Sequence, residues 1–170
     1  FRSGAGGKPF VEHPVQPGIS FNLSHSGGRA VIAVGDGREI GVDVERERPL
    51  AEALDIAGTN FSRSEVEAIR RAPALRQGAE FFRYWVAKEA VAKAEGSGLG
   101  LPFEAFEIRF DDADGSRAGI RAIGRGSLQA DWTVRLLSLG PGWPVAVSAR
   151  GLAWRLRCPP GGADDPGGHT

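Results

Sequence analysis

The chain has 170 residues, 41% hydrophobic and 25% charged, which suits one soluble domain with a sizeable core. Lysine plus arginine and aspartate plus glutamate number 21 each, so the formal net charge is zero and no bulk field argues for nucleic acid or an anionic membrane as partner. The single cysteine, Cys158, excludes an internal disulfide and fits a reducing, cytoplasmic setting, while no apolar run has membrane-spanning length and no signal-peptide core opens the chain. Residues 1–18 are rich in Gly and Pro and read as irregular or extended. Ile19 to Leu23 is short and apolar, and Ser24-His25-Ser26-Gly27-Gly28 reads as a break after it. Arg29 to Val34 and Arg38 to Glu45 read as two strands of a β-hairpin around Gly35-Asp36-Gly37.

In the second of these strands Ile40, Val42 and Val44 point to one face, and Gly41, Asp43 and Glu45 to the other. Two carboxylates thus stand on one face beside a glycine that leaves open space. Alternation on a half-exposed strand accounts for them equally well. Pro49 opens a short helix through Ala57. Ser62-Arg63-Ser64-Glu65 matches a capping box and starts a helix to about Arg71. Ala79 to Glu95 holds no Gly or Pro and reads as a long helix, ended by Gly96-Ser97-Gly98-Leu99-Gly100. Strands follow at Phe106 to Phe110, Arg117 to Ile123, Trp132 to Leu139 and Pro144 to Ala149. The last stretch, from 151 and above all from Pro159, has little to bury and reads as a disordered tail. Strands and helices without strict alternation argue an α+β fold.

On the long helix, Phe81, Phe82, Trp85, Val86 and Ala92 fall on one broad face, and Glu89 falls inside it. A carboxylate there is costly unless something positive or hydrogen-bonding meets it. A buried pair with Lys93, one turn on, is the plain solution. The other is convergence with Asp43 and Glu45, an all-oxygen cluster suited to Mg²⁺ where phosphate oxygens complete the shell. Lys88 and Lys93 would then be free to hold phosphates, with the Ser24-His25-Ser26 segment cradling another. Singly, each of these residues is more simply explained as a structural or solvated side chain.

Together they carry a resemblance. Gly41-Val42-Asp43-Val44-Glu45 followed by Trp85-Val86-Ala87-Lys88-Glu89-Ala90-Val91-Ala92-Lys93 resembles the signature of the 4'-phosphopantetheinyl transferases. Gly7-Lys8-Pro9 and Phe21-Asn22-Leu23-Ser24-His25-Ser26 look like the two preceding motifs of the larger, surfactin-synthetase-activating type. The resemblance runs from about Gly7 to Ala149 and departs at Val86, where many members carry Ser or Thr.

The resemblance implies an antiparallel sheet packed against a long helix, one lobe of a pseudo-dimeric fold. It divides the chain into a junction segment, 1–28, with coenzyme A phosphate-binding motifs, and a C-terminal lobe, 29–150. It implies transfer of 4'-phosphopantetheine from coenzyme A to a serine of an acyl or peptidyl carrier protein, releasing adenosine 3',5'-bisphosphate, the holo-[acyl-carrier-protein] synthase reaction. By similarity, Asp43, Glu45 and Glu89 bind Mg²⁺, Lys88 and Lys93 contact the pyrophosphate, and Lys8 and His25, supported by Ser24, meet the 3'-phosphate. Glu89 or a water on the metal takes the serine proton, while Glu65 is read as a cap. The chain begins at Phe1 and has no methionine, so a preceding lobe is expected, and this piece alone is expected to be a poor catalyst. A non-catalytic carrier- or nucleotide-binding remnant of the same fold is the competing reading, and a different Mg²⁺-dependent phosphoryl-transfer or hydrolytic enzyme a third.

Overall fold

The computed structural model describes residues 2–3, 9–10, 18–96, 101–111, 116–122 and 132–159. Strands β1 (Arg2–Ser3) and β2 (Pro9–Phe10) form a short antiparallel pair. Strands β3 (Ile19–Ser26) and β4 (Arg29–Asp36) form a hairpin in register from Ile19↔Asp36 to Ser26↔Arg29. Then come β5 (Ile40–Val44), α1 (Ala53–Asn60), α2 (Arg63–Arg71), α3 (Gln77–Glu95), β6 (Phe106–Phe110), β7 (Arg117–Ala122), β8 (Trp132–Ser138) and β9 (Pro144–Arg150). Among the described residues the main sheet has the order β5-β9-β8-β7-β6, with every pair antiparallel. The fold is α+β, with α3 lying across β5 and β9.

The hairpin differs from the sequence expectation. Arg29 to Val34 pairs backward with β3, and β5 pairs with β9 instead. The turn is Gly27-Gly28, both with positive φ (48° and 85°), the backbone that a two-residue hairpin turn requires. Ser24 to Ser26 therefore completes a strand, where a break had been expected.

Gly41 explains how α3 comes so close. A Cβ there would lie 2.0 Å from the Ala90 carbonyl oxygen and 2.4 Å from the Ala94 nitrogen. The space beside Asp43 is thus filled by helix backbone, not left open, and β5 is buried along its whole length. Ile40, Val42 and Val44 pack on the opposite side with Leu137, Val145 and Val147.

Helix ends follow their local chemistry. Ser62 and Glu65 form the full capping box of α2, and Gly96 closes α3 in the left-handed conformation at φ 84°. Helix α1 starts at Ala53, later than Pro49, and ends at Asn60, past the expected Ala57. Helix α3 is buried nearly all round, not on one stripe: Phe81, Val86 and Ala90 are among its enclosed residues, and Lys88 is too. Beyond β9 the chain still packs. Trp154 and Leu156 lie against the second core, and Trp154 Nε1 donates to Thr133 Oγ1 at 3.0 Å. A tail without packing therefore does not begin at 151, and residues 160–170 lie outside the described residues.

Candidate active site

The free edge of β5 is met by side chains of β3, not by a backbone ladder. Asn22 Oδ1 accepts from the Val42 N–H (2.9 Å), Ser24 Oγ from Val44 (3.3 Å) and Ser26 Oγ from Arg46 (3.1 Å). Alternate residues of one strand thus answer alternate N–H groups of the next, as the two-residue side-chain period demands. The two serines use their remaining protons on acids. Ser24 Oγ donates to Asp43 Oδ1 at 2.7 Å, and Ser26 Oγ to Glu45 Oε2 at 2.8 Å. Two of the three residues that seal the sheet edge, Ser24 and Ser26, therefore also aim two carboxylates.

Helix α3 completes the cluster. Lys93 Nζ donates to Asp43 Oδ1 at 2.6 Å and to Ser24 Oγ at 3.0 Å. Asp43 Oδ2 is buried and has no hydrogen-bond partner. Burial pushes the Asp43 carboxyl above its ordinary value, outweighing Lys93 and Ser24, which pull it down, while Glu45 adds to the rise. Glu89 is also pushed up, first by burial and then by the negative charge of Asp43, with Lys93 opposing and Glu45 contributing. Asp43, Glu45 and Glu89 thus share one electrostatic environment that is short of positive charge.

No three acidic, histidine or cysteine side chains among the described residues are already gathered in ion-holding geometry. The donors nonetheless suit a hard cation: all are carboxylate oxygens, one is buried and unanswered, and their charges repel. Lys93, expected to pair with Glu89 or to hold phosphate, pairs with Asp43.

Lys88 goes elsewhere. It has no exposed surface, and its Nζ donates to the Phe103 and Phe106 carbonyls, each at 2.7 Å, while pairing with Glu65 Oε2 at 3.0 Å. Phe106 lies face-on to the ammonium at 4.3 Å. This is the buried Glu–Lys pair anticipated for Glu89, made by the neighbouring lysine with the capping glutamate. The structure does not bring Lys88 to the carboxylate cluster. His25 is exposed, on the face of β3 opposite Ser24, and is not brought there either. Lys8 lies outside the described residues. Ser26 was missed as a positioning residue, although the alternating polar pattern of Asn22, Ser24 and Ser26 signals it.

The fold and this acidic helix–strand junction define the class. Residues 39–148 match the family model of the 4'-phosphopantetheinyl transferase superfamily, and the chain belongs to that superfamily. It is 33% identical over 143 residues to the 4'-phosphopantetheinyl transferase Sfp of Bacillus subtilis (strain 168), covering 84% of this chain and 59% of that protein. It is 37% identical over 150 residues to the transferase psf-1 of Bacillus pumilus, covering 88% and 60% respectively. The chain therefore spans about three-fifths of the length of these relatives. Among solved structures, a holo-(acyl-carrier-protein) synthase from Bacillus anthracis in complex with CoA (3',5'-ADP) superposes with a TM-score of 0.52 at 21% identity, covering 68% of this chain and 96% of that one. The Thermotoga maritima holo-[acyl-carrier-protein] synthase gives 0.54 at 19%, covering 68% and 64%. At such identities the structures establish a shared fold.

Proposed function

We propose that this chain carries the metal-binding half of a 4'-phosphopantetheinyl transferase, which moves 4'-phosphopantetheine from coenzyme A to a serine hydroxyl of an acyl or peptidyl carrier protein. The observation that supports it most is the unanswered Asp43 Oδ2, buried beside Lys93 and Ser24 and coupled to Glu89 and Glu45, within the segment that matches the superfamily. Asp43, Glu45 and Glu89 would hold Mg²⁺. When bound, that ion would neutralise pyrophosphate charge and make the phosphorus easier to attack.

The remaining tasks fall to side chains of this chain. Lys93, at the edge of the cluster and 29% exposed, can reach an anionic ligand outside it. Glu89, the acid that α3 brings to the cluster, is the group assigned to take the proton of the attacking serine. Ser24 and Ser26 hold Asp43 and Glu45 in place. Lys88 pins the helix instead of gripping phosphate. His25, exposed on the far face of the hairpin, and Lys8 are assigned to the 3'-phosphate of coenzyme A on the motif alone.

The test is Mg²⁺-dependent labelling of an apo carrier protein from a fluorescent coenzyme A by the intact protein that contains this chain, comparing the parent with Asp43→Asn and Glu89→Gln. Loss of at least about a hundredfold in each variant supports the reading, the scale of removing a charge-stabilising group from a phosphoryl or acyl transfer site. Labelling indifferent to both variants overturns the site. Coenzyme A bound without any labelling favours the binding remnant instead.

A further inference from the structure

Three features put Lys93 in an unusual position. Its ammonium is bonded to the same Asp43 oxygen that accepts from Ser24, so Oδ1 is fully engaged while Oδ2 is buried and unanswered. Ser24 Oγ is saturated as well, donating to Asp43 and accepting from Lys93 and the Val44 N–H. Among the described residues the ion pair of Lys93 is with Asp43, while Glu45 meets Ser26 and the exposed Arg48, 3.9 Å away.

We propose that Lys93 is the resident counter-ion of the carboxylate cluster, and that a divalent cation enters by displacing the Lys93 ammonium from Asp43. Ion loading and release of Lys93 toward an anionic ligand are then one coupled event. The inference rests on the reading of Asp43, Glu45 and Glu89 as the ion site. It goes beyond that reading by giving Lys93 a second position.

The physical case is competition for one patch of charge. A cation held by Asp43 would be drawn by both carboxylate oxygens, yet one of them faces an ammonium at 2.6 Å. Two positive charges sharing one carboxylate, in a partly buried site, repel. The lysine side chain is long, flexible and only partly enclosed, so it can swing outward without unfolding α3. Ser24 stays behind, because its bond to the Val44 N–H anchors it to β5. It continues to orient Asp43 in either state. Before loading, Lys93 offsets part of the repulsion that would otherwise push the helix and strand apart. After loading, the same charge is available at the cluster's rim, where an anion bound to the metal would lie. Lys88 cannot share this role, since its three partners enclose it completely.

The test is titration of the chain with Mn²⁺ alone, read as loss of the free-ion electron paramagnetic resonance signal, with no coenzyme A or carrier present. Lys93→Met removes the competitor while keeping most of the side-chain length, and is expected to bind Mn²⁺ on the order of tenfold more tightly than the parent. Lys93→Arg restores a charge and is expected to return the affinity to near the parent value. It also separates loss of competition from any general loosening of the fold. In the parent, the Lys93 side-chain ¹⁵N resonance should shift on adding Mg²⁺, and should not in Asp43→Asn. Unchanged or weaker Mn²⁺ binding by Lys93→Met overturns the exchange. If Asp43→Asn and Glu89→Gln both bind Mn²⁺ as the parent does, the ion site itself is wrong and the exchange falls with it. If those two lose binding while Lys93→Met is neutral, the site stands and only the exchange is refuted.

Discussion

Two neighbouring residues of α3, Lys88 and Glu89, end in opposite situations. Lys88 is fully enclosed, with an acid and two carbonyls around its ammonium. Glu89 is only partly enclosed, and its surroundings are mostly negative. Both are ionisable side chains on a helix with little exposed surface, and consecutive positions point about 100° apart. Burial alone therefore does not separate structure from function here; completeness of the partner set does. Around Lys88 every bonding direction is answered by the chain itself, linking α2, α3 and the start of β6. Around Asp43 and Glu89 an oxygen is left over and charges repel, and the proposed ion site rests on that imbalance.

The sharpest way to break this contrast is to open the closed side. Lys88→Met leaves the Glu65 carboxylate and the carbonyls of Phe103 and Phe106 without their cation in a buried place. Removing one partner of a buried pair costs about 3–5 kcal/mol. Glu65 keeps its bonds from the N–H groups of Ser62 and Ile108, both 2.7 Å, which places the expected loss toward the lower end. Urea unfolding measures it. Whatever fraction remains folded should bind Mn²⁺ with parental affinity, since Lys88 does not touch the acidic cluster. A fall in ion affinity per folded molecule would show that the two sites are not separate.

Next in size is a change that separates the two layers of the open side. In Gly41→Ala the new methyl meets helix backbone, which cannot rotate away, so α3 must lift from β5. Overpacking of this kind costs about 1–3 kcal/mol. Asp43, on the same face of β5, would move away from Glu89, the acid that α3 contributes to the cluster. Both urea stability and Mn²⁺ affinity should fall together, in contrast to Lys88→Met, where only stability falls.

These residues also show what could be read without coordinates. The capping box at Ser62, the Gly96 stop and the extent of α3 follow from short-range chemistry, and each is legible within a few residues of sequence. So is the alternation of β5 that sets Asp43 and Glu45 on one face. The partner of β5 is not legible: β9 lies about a hundred residues downstream, and nothing local distinguishes it from the adjacent β4. Gly41 is ambiguous for a related reason. A missing Cβ signals room, but only the packed helix shows what uses the room. The opposed directions of Lys88 and Glu89 escape the sequence because α3 is apolar on almost every side, so periodicity does not say which side faces the sheet. The alternating Asn22, Ser24 and Ser26 were visible throughout. Their role depends on β5 being an edge strand, which is a property of the whole sheet.

The smallest expected effect has the opposite sign and tests whether the open side is held at a cost. A carboxyl raised in the folded state binds protons there more readily than in the unfolded chain. Between its ordinary value, 4.5 for Glu89 and 3.8 for Asp43, and its raised folded value, the folded state therefore holds more protons. Stability from these groups falls as pH rises through that window, and above it the penalty is complete. Glu89→Gln removes the charge while keeping the shape, so it should stabilise the ion-free chain at pH 7 by a margin smaller than either loss above. The gain should shrink as pH is lowered toward the ordinary carboxylate value, where the parent's own Glu89 becomes protonated. Saturating Mg²⁺ should stabilise the parent and leave Glu89→Gln nearly unmoved, because the ion and the substitution relieve the same repulsion. Thermal unfolding of both chains from pH 5 to pH 8, with and without Mg²⁺, makes the comparison. A variant less stable than the parent at pH 7 without metal would mean that Glu89 has a favourable partner in the folded chain. The two sides of α3 would then differ in exposure only, and not in the completeness of their partner sets.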